Sequence, residues 1–292
     1  MKILVVGANG QLGTDCISVL NSFNIVHGVD FPEIDISDNK HVWKCLDTYL
    51  PDVIVNCAAY TAVDACEDDT TCWKVNANGP AYLAGWVQQN NAFLIQISTD
   101  YVFNGKKSLF SSYTESDTSD PCSEYGRSKL AGEQFLQESE AEIAILRTAW
   151  LYGANGTNFL KTMLRLALQN PEREIRVVGD QFGSPTCSHT LAQQISKIIE
   201  AKVTGLFHAT SEGYCSWYEL AHYFLTKMNV PFRMKACTSL EYPTRAHRPK
   251  NSILENKVLK DLRLNVFDDW KKELDAFVLL NRAMLLKEME ES

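Results

Sequence analysis

The sequence predicts an α/β protein: a doubly wound parallel sheet carrying a smaller mixed α/β domain. Three observations carry that expectation. Short β-branched runs alternate with longer amphipathic stretches through the first half of the chain. A glycine-rich turn follows the first of those runs, and the rhythm loosens beyond about residue 150.

Ile3 to Val6, Ile25 to Val29, Val53 to Asn56, Phe93 to Ser98 and Ile143 to Arg147 read as strands. Most are near-continuously apolar, as strands covered on both faces are. Between them Leu12, Cys16, Val19 and Leu20, then Val42, Cys45, Leu46, Tyr49 and Leu50, recur at three- and four-residue spacing, the stripe of a core-facing helix. This is the Rossmann arrangement, expected over residues 1–150 with some later segments returning to it. Residues 151–292 are expected to form mainly the second domain. Helices fit Asn158 to Leu168, Leu191 to Ala201, Trp217 to Met228 and Asp268 to Glu288; Arg176 to Val178 reads as a short strand and Asp180 to Thr186 as a turn-rich loop. With no repeat or flexible linker between them, the two parts are expected to share a broad interface with a ligand in the crevice.

The 292 residues are 45% hydrophobic and 22% charged, the balance of a globular protein with a sizeable core. Lys and Arg total 28 against 36 Asp and Glu, a net charge of −8 with no basic patch, which argues against nucleic acid as the main partner. No apolar run reaches the roughly 18–20 residues that cross a bilayer. The first apolar run is too short for a signal-peptide core, so the cytoplasm is the expected compartment. The nine cysteines lack metal-ligand spacing and are expected to be free, mostly buried thiols.

Gly7-Ala8-Asn9-Gly10-Gln11-Leu12-Gly13 lies between the first strand and the first helix. Glycines there permit a tight turn and close approach to a pyrophosphate, which a helix N-terminus attracts. Asp30 ends the second strand, where a carboxylate accepts from adenosine ribose hydroxyls and repels a 2′-phosphate; taken alone it favours NADH over NADPH. Asp35-Ile36 is expected to line the adenine, and Ala58, Ala59, Tyr60 and Thr61 follow the third strand where small residues let a dinucleotide lie against backbone. Tyr125 and Lys129 form a YxxxK pair, which a helix places on one face. A nearby cation is expected to lower the tyrosine pKa and let it move a proton near neutral pH. Thr99, in the run Ser98 to Phe103, supplies the hydroxyl of a carbonyl-polarising triad.

On these residues the chain resembles the extended short-chain dehydrogenases and, within them, the dTDP-4-dehydrorhamnose reductases. The resemblance runs through GANGQLG (7–13), NCAAYTAVDACE (56–67), STDYVFNG (98–105), YGRSKLAGE (125–133), RTAWLYG (147–153), NFLKTML (158–164), GDQFGSPT (179–186), SWYELA (216–221) and HRPKNSIL (247–254). It implies NADPH or NADH as cofactor, a nucleotide-sugar substrate, and reduction of the C4 ketone of dTDP-4-dehydro-beta-L-rhamnose to dTDP-L-rhamnose. Tyr125 would protonate the developing alkoxide, Thr99 would hydrogen-bond that oxygen, and Lys129 would tune Tyr125 and hold the nicotinamide ribose. By the same matching Val63, Asp100, Tyr101 and Trp150 would contact the sugar. Arg248 is the candidate for the diphosphate, its competing role a structural ion pair under the C-terminal helix.

Position 101 separates this branch from related dehydratases, which need an Asp-Glu pair after the threonine; Tyr101 is a poor base. A 4-epimerase, a reductase of another nucleotide sugar, and a non-catalytic regulatory subunit resembling that of methionine adenosyltransferase stay as alternatives. Family members have been described as metal-bridged homodimers. Here Asp15 stands where one interface glutamate falls and His189 replaces another, so no metal is assigned. Glu67-Asp68-Asp69 reads as a solvated helix start, and Ser119 to Glu124 as part of a loop over the sugar.

Overall fold

The structure, a computed structural model, describes residues 1–291. Its centre is a six-stranded parallel sheet made of β1 (Lys2–Val6), β2 (Ile25–Val29), β3 (Val53–Asn56), β4 (Phe93–Thr99), β5 (Glu142–Thr148) and a sixth strand, Gly205–His208. In space the order runs from that sixth strand through β5, β4, β3 and β1 to β2. Leu4, Val6, Ile54 and Leu94 point to one face and Ile3, Val5, Val55 and Ile95 to the other, and all eight are buried. That two-sided burial is why the strands are apolar throughout rather than alternating. The edge strand β2 departs from this, with Ile25 exposed.

Helix α1 (Gln11–Leu20) and the later helix Ser188–Ala201 cover one face, where Leu12, Cys16 and Leu20 pack with Leu191, Ile195 and Ile198. On the other face α2 (Asn39–Tyr49) and α3 (Gly79–Asn90) bury Val42, Leu46, Leu83 and Trp86. The sixth strand was not anticipated: it is four residues long and pairs in parallel with β5, Leu206 opposite Ile145. The segment 188–208 thus returns to the first sheet. Helices Phe159–Gln169, Trp217–Met228 and Trp270–Glu290 form a separate core around Leu164, Phe224 and Leu274, with the parallel pair Glu174–Val178 and Arg233–Cys237 beside it.

Helix α4 (Glu124–Gln137) positions the site. Its N-cap Ser123 Oγ accepts from Gly126 N at 3.2 Å, and the Glu124 amide donates to Glu67 Oε1 at 3.0 Å. The buried face of this helix is largely polar: Tyr125, Ser128, Lys129 and Glu133. Among the described residues no helix is long and apolar enough to cross a membrane.

Candidate active site

A cleft of about 830 Å³ opens at the C-terminal ends of β1, β3, β4 and β5, the place where open parallel sheets hold ligands. Gly7, Gly10, Gln11, Leu12 and Gly13 line one part of it. Gly7 has φ +78°, and a Cβ there would lie 2.6 Å from the Ala58 nitrogen. A Cβ on Gly13 would lie 2.1 Å from the Gly7 carbonyl oxygen. The turn therefore closes onto α1 only without side chains at both positions. No side chain among the described residues caps α1, which leaves its first amides for an anion. These features fit a dinucleotide's pyrophosphate.

Asp30, Asp35, Ile36, Ala58, Ala59 and Thr61 line the same cleft. The Asp30 carboxylate is fixed, Oδ2 accepting from Asn9 N at 2.9 Å and Oδ1 from Phe31 N at 2.8 Å. The hydroxyl and amide of Ser37 hold Asp35 below the usual carboxylate range. Tyr60 is not part of the lining: its hydroxyl donates to Asp69 Oδ2 at 2.9 Å.

Thr99, Tyr125 and Lys129 converge on the cleft and are each buried. Thr99 closes β4; its Oγ1 donates to Asp100 Oδ1 at 3.1 Å and accepts from Tyr101 N at 3.2 Å. Tyr125 meets Tyr101 edge-on, centroids 5.6 Å apart. Lys129 Nζ donates to the Ile97 carbonyl at 2.6 Å. Burial pushes the Tyr125 phenol up, the Thr99 hydroxyl pulls it back, and the Asp100 charge adds to the rise. This corrects the expectation that the neighbouring lysine lowers it. With the ammonium on a backbone carbonyl, desolvation of the phenolate dominates. The phenol is consequently protonated across the neutral range, the state an acid needs. Lys129 itself is lowered to about 8 by burial, with Glu133 opposing. Burial raises Asp100 to about 6, restrained by the Ser252 and Thr99 hydroxyls.

Val63, Asp100, Tyr101 and Trp150 line the other end. Trp150 adopts φ +47°, and its indole stacks on Trp217 at 3.6 Å and 8°. Phe159 meets Trp217 edge-on, and both line the cleft. Sequence reasoning missed these two, although each opens a helix inside a quoted motif, because an aromatic at a helix start reads as packing.

Arg248 is outside the cleft lining. Its guanidinium makes a bidentate pair with Asp64, at 3.1 and 2.8 Å, and it touches Tyr101 closely enough to perturb it. The structure therefore shows the ion-pair role, with the loop after β3 as partner rather than the C-terminal helix, and a diphosphate would have to share the guanidinium with Asp64. The acidic run is not simply solvated: Glu67 accepts from Glu124 N, Asp68 pairs with Arg245, and Asp69 accepts from Tyr60. Asp15 accepts from Ser188 Oγ at 2.5 Å, and His189 neighbours Gln193. Among the described residues no group of three or more His, Cys, Asp or Glu could hold a metal ion.

Removing the Thr99 hydroxyl should slow a ketone reduction. Thr99→Val is expected to lower kcat by about 10²–10³, as loss of one preorganised donor does, measured by steady-state turnover.

A family model described as the RmlD substrate binding domain matches residues 1–282. A dTDP-4-dehydrorhamnose reductase of Aggregatibacter actinomycetemcomitans is 38% identical over 290 residues, covering 94% of this chain and 97% of that protein. The crystal structure of a dTDP-4-dehydrorhamnose reductase of Clostridium acetobutylicum is 40% identical, with TM-score 0.92 and coverage of 96% and 99%. A Bacillus anthracis dTDP-4-dehydrorhamnose reductase solved in complex with NADP is 35% identical, with TM-score 0.91 and coverage of 95% and 98%. Full-length matches at this identity, on a fold that gathers the glycine turn and the Thr99–Tyr125–Lys129 set into one cleft, place the chain in the RmlD family of reductases.

Proposed function

We propose that this protein reduces the C4 ketone of dTDP-4-dehydro-beta-L-rhamnose to dTDP-L-rhamnose with NADPH or NADH. The observation that carries this reading is the convergence of Thr99, Tyr125 and Lys129 on the cleft that also holds the dinucleotide cradle. When bound, the nicotinamide supplies the hydride. Tyr125 gives its phenolic proton to the sugar oxygen, so that ketone, hydride and proton make the secondary alcohol. Thr99 has one hydroxyl proton, at present donated to Asp100; polarising the ketone means turning it to the substrate oxygen. The Lys129 ammonium offsets the phenolate that remains and holds the ribose. Trp150, Asp100, Tyr101 and Val63 shape the sugar end, with Arg248 shared between Asp64 and the diphosphate.

Tyr101 supports reduction over dehydration. Burial and the Asp100 charge push its phenol up, so no base stands where elimination needs one. The intact triad and the reductase relatives support an enzyme over a regulatory subunit. The Bacillus relative's NADP complex favours NADPH, whereas Asp30 favours NADH. Nine free cysteines support a reducing compartment, the cytoplasm.

Because the Lys129 ammonium is lost as pH rises through about 8, kcat/KM should be level near neutrality and fall above that pH. A pH series with saturating cofactor checks this. The reading itself is tested by following nicotinamide absorbance with the ketosugar generated in place from dTDP-glucose, with NADH and NADPH in separate reactions. Ketosugar-dependent oxidation is expected; tight dinucleotide binding without oxidation would move the assignment to the regulatory alternative.

A further inference from the structure

A buried ion pair beneath the triad is unused by the chemistry above. Arg147 on β5 is 3% exposed and Glu133 on α4 is 1% exposed. Arg147 Nε lies 3.0 Å from Glu133 Oε1 and Nη2 lies 2.6 Å from Oε2, a forked, bidentate pair. Two hydroxyls join it: Ser98 Oγ donates to Glu133 Oε1, and Arg147 Nη2 donates to Ser119 Oγ at 2.9 Å. Each member is next to something the reaction uses. Ser98 immediately precedes Thr99, Glu133 stands one turn beyond Lys129 on the same helix, and Arg147 lies three residues before Trp150. Ser119 belongs to the loop leading into α4.

A buried pair of this kind is a poor source of stability, because desolvating both charges offsets most of their attraction. Its connections therefore point to another role. The groups facing Lys129 are the Ile97 carbonyl on β4, the thiols of Cys57 and Cys72, and the Glu133 carboxylate. Glu133 is the one carboxylate among them.

We propose that the Glu133–Arg147 pair is a positioning device for the reduction: Glu133 fixes Thr99 through Ser98 and supplies the counter-charge of the Lys129 ammonium, while Arg147 holds Glu133 in place. This rests on the reductase reading. Glu133→Gln alone strands a buried guanidinium and is expected to lose stability. Glu133→Gln combined with Arg147→Met removes both charges at similar volume and keeps the fold. In that double variant the alkaline limb of kcat/KM moves to lower pH, so activity near pH 8.5 falls about threefold further than near pH 6.5. Ser98→Ala, which breaks only the link to Thr99, lowers kcat about tenfold with the limb unmoved. Glu133→Asp retains the charge and restores the limb.

A folded double variant with its limb where the wild type has it would overturn the proposal, as would Ser98→Ala with unchanged kcat. Titration of the Lys129 side chain by NMR, assigned with Lys129→Arg, separates this from the underlying reading. If the wild type turns over no ketosugar, the reductase reading fails; a Lys129 titration shifted downward in the double variant still upholds the role of Glu133, and an unshifted one rejects it.

Discussion

Tyr125→Phe is expected to lower kcat by about two to four orders of magnitude while dinucleotide affinity stays within about threefold. The substitution deletes one oxygen from a ring that is otherwise held by burial and by the edge of Tyr101, so the cleft keeps its shape. The hydroxyl lost is the acid assigned to the sugar oxygen, and its proton is retained at neutral pH because burial disfavours the phenolate. Steady-state turnover beside a fluorescence titration of NADPH measures both quantities. Turnover within tenfold of wild type would show that another group, with Asp100 the nearest candidate at about 6, delivers the proton.

Gly13→Ala should be nearly as severe for a different reason. The added methyl would sit 2.1 Å from the Gly7 carbonyl and 2.8 Å from the Ala8 Cα, both backbone atoms with no rotamer to yield. Helix α1 or the turn must shift, at a cost of about 1–3 kcal/mol, and the pyrophosphate cradle shifts with it. Dinucleotide affinity is expected to fall by more than about tenfold and the melting temperature to drop. Gly85→Ala is the matching control: its Cβ would meet Trp43 at 3.9 Å, and replacing a helical glycine there should be neutral or stabilising by about 0.5–1 kcal/mol. Calorimetry and NADPH titration of both variants separate a local steric effect from a general intolerance of α-helical substitutions.

The parallel sheet was legible because its strands are buried on both faces, which turns Ile3 to Val6 and Val53 to Val55 into unbroken apolar runs. Gly205–His208 escaped notice because half of so short a strand is Gly and His; its place comes from the pairing offered by β5. The polar face of α4 was hidden from a hydrophobic-stripe reading, and its YxxxK spacing revealed it instead. The direction of the Tyr125 shift is not legible in spacing, which shows that Lys129 shares a face with the tyrosine but neither the depth at which the phenol is buried nor that the ammonium donates to the Ile97 carbonyl. Likewise, a lone Arg248 in a Pro-containing segment gives no sign that Asp64, 184 residues earlier, is its partner. Trp217 reaches Trp150 only through the tertiary packing of the second core.

Hydride delivery to C4 is tested most directly by running the reaction with NADPH carrying deuterium at both C4 positions of the nicotinamide and recording the NMR spectrum of the sugar product. Deuterium at C4 of dTDP-rhamnose is expected, with none incorporated by Tyr125→Phe over the same interval. Unlabelled product, or label at another carbon, would contradict the assignment of this cleft as a C4-ketone reductase site.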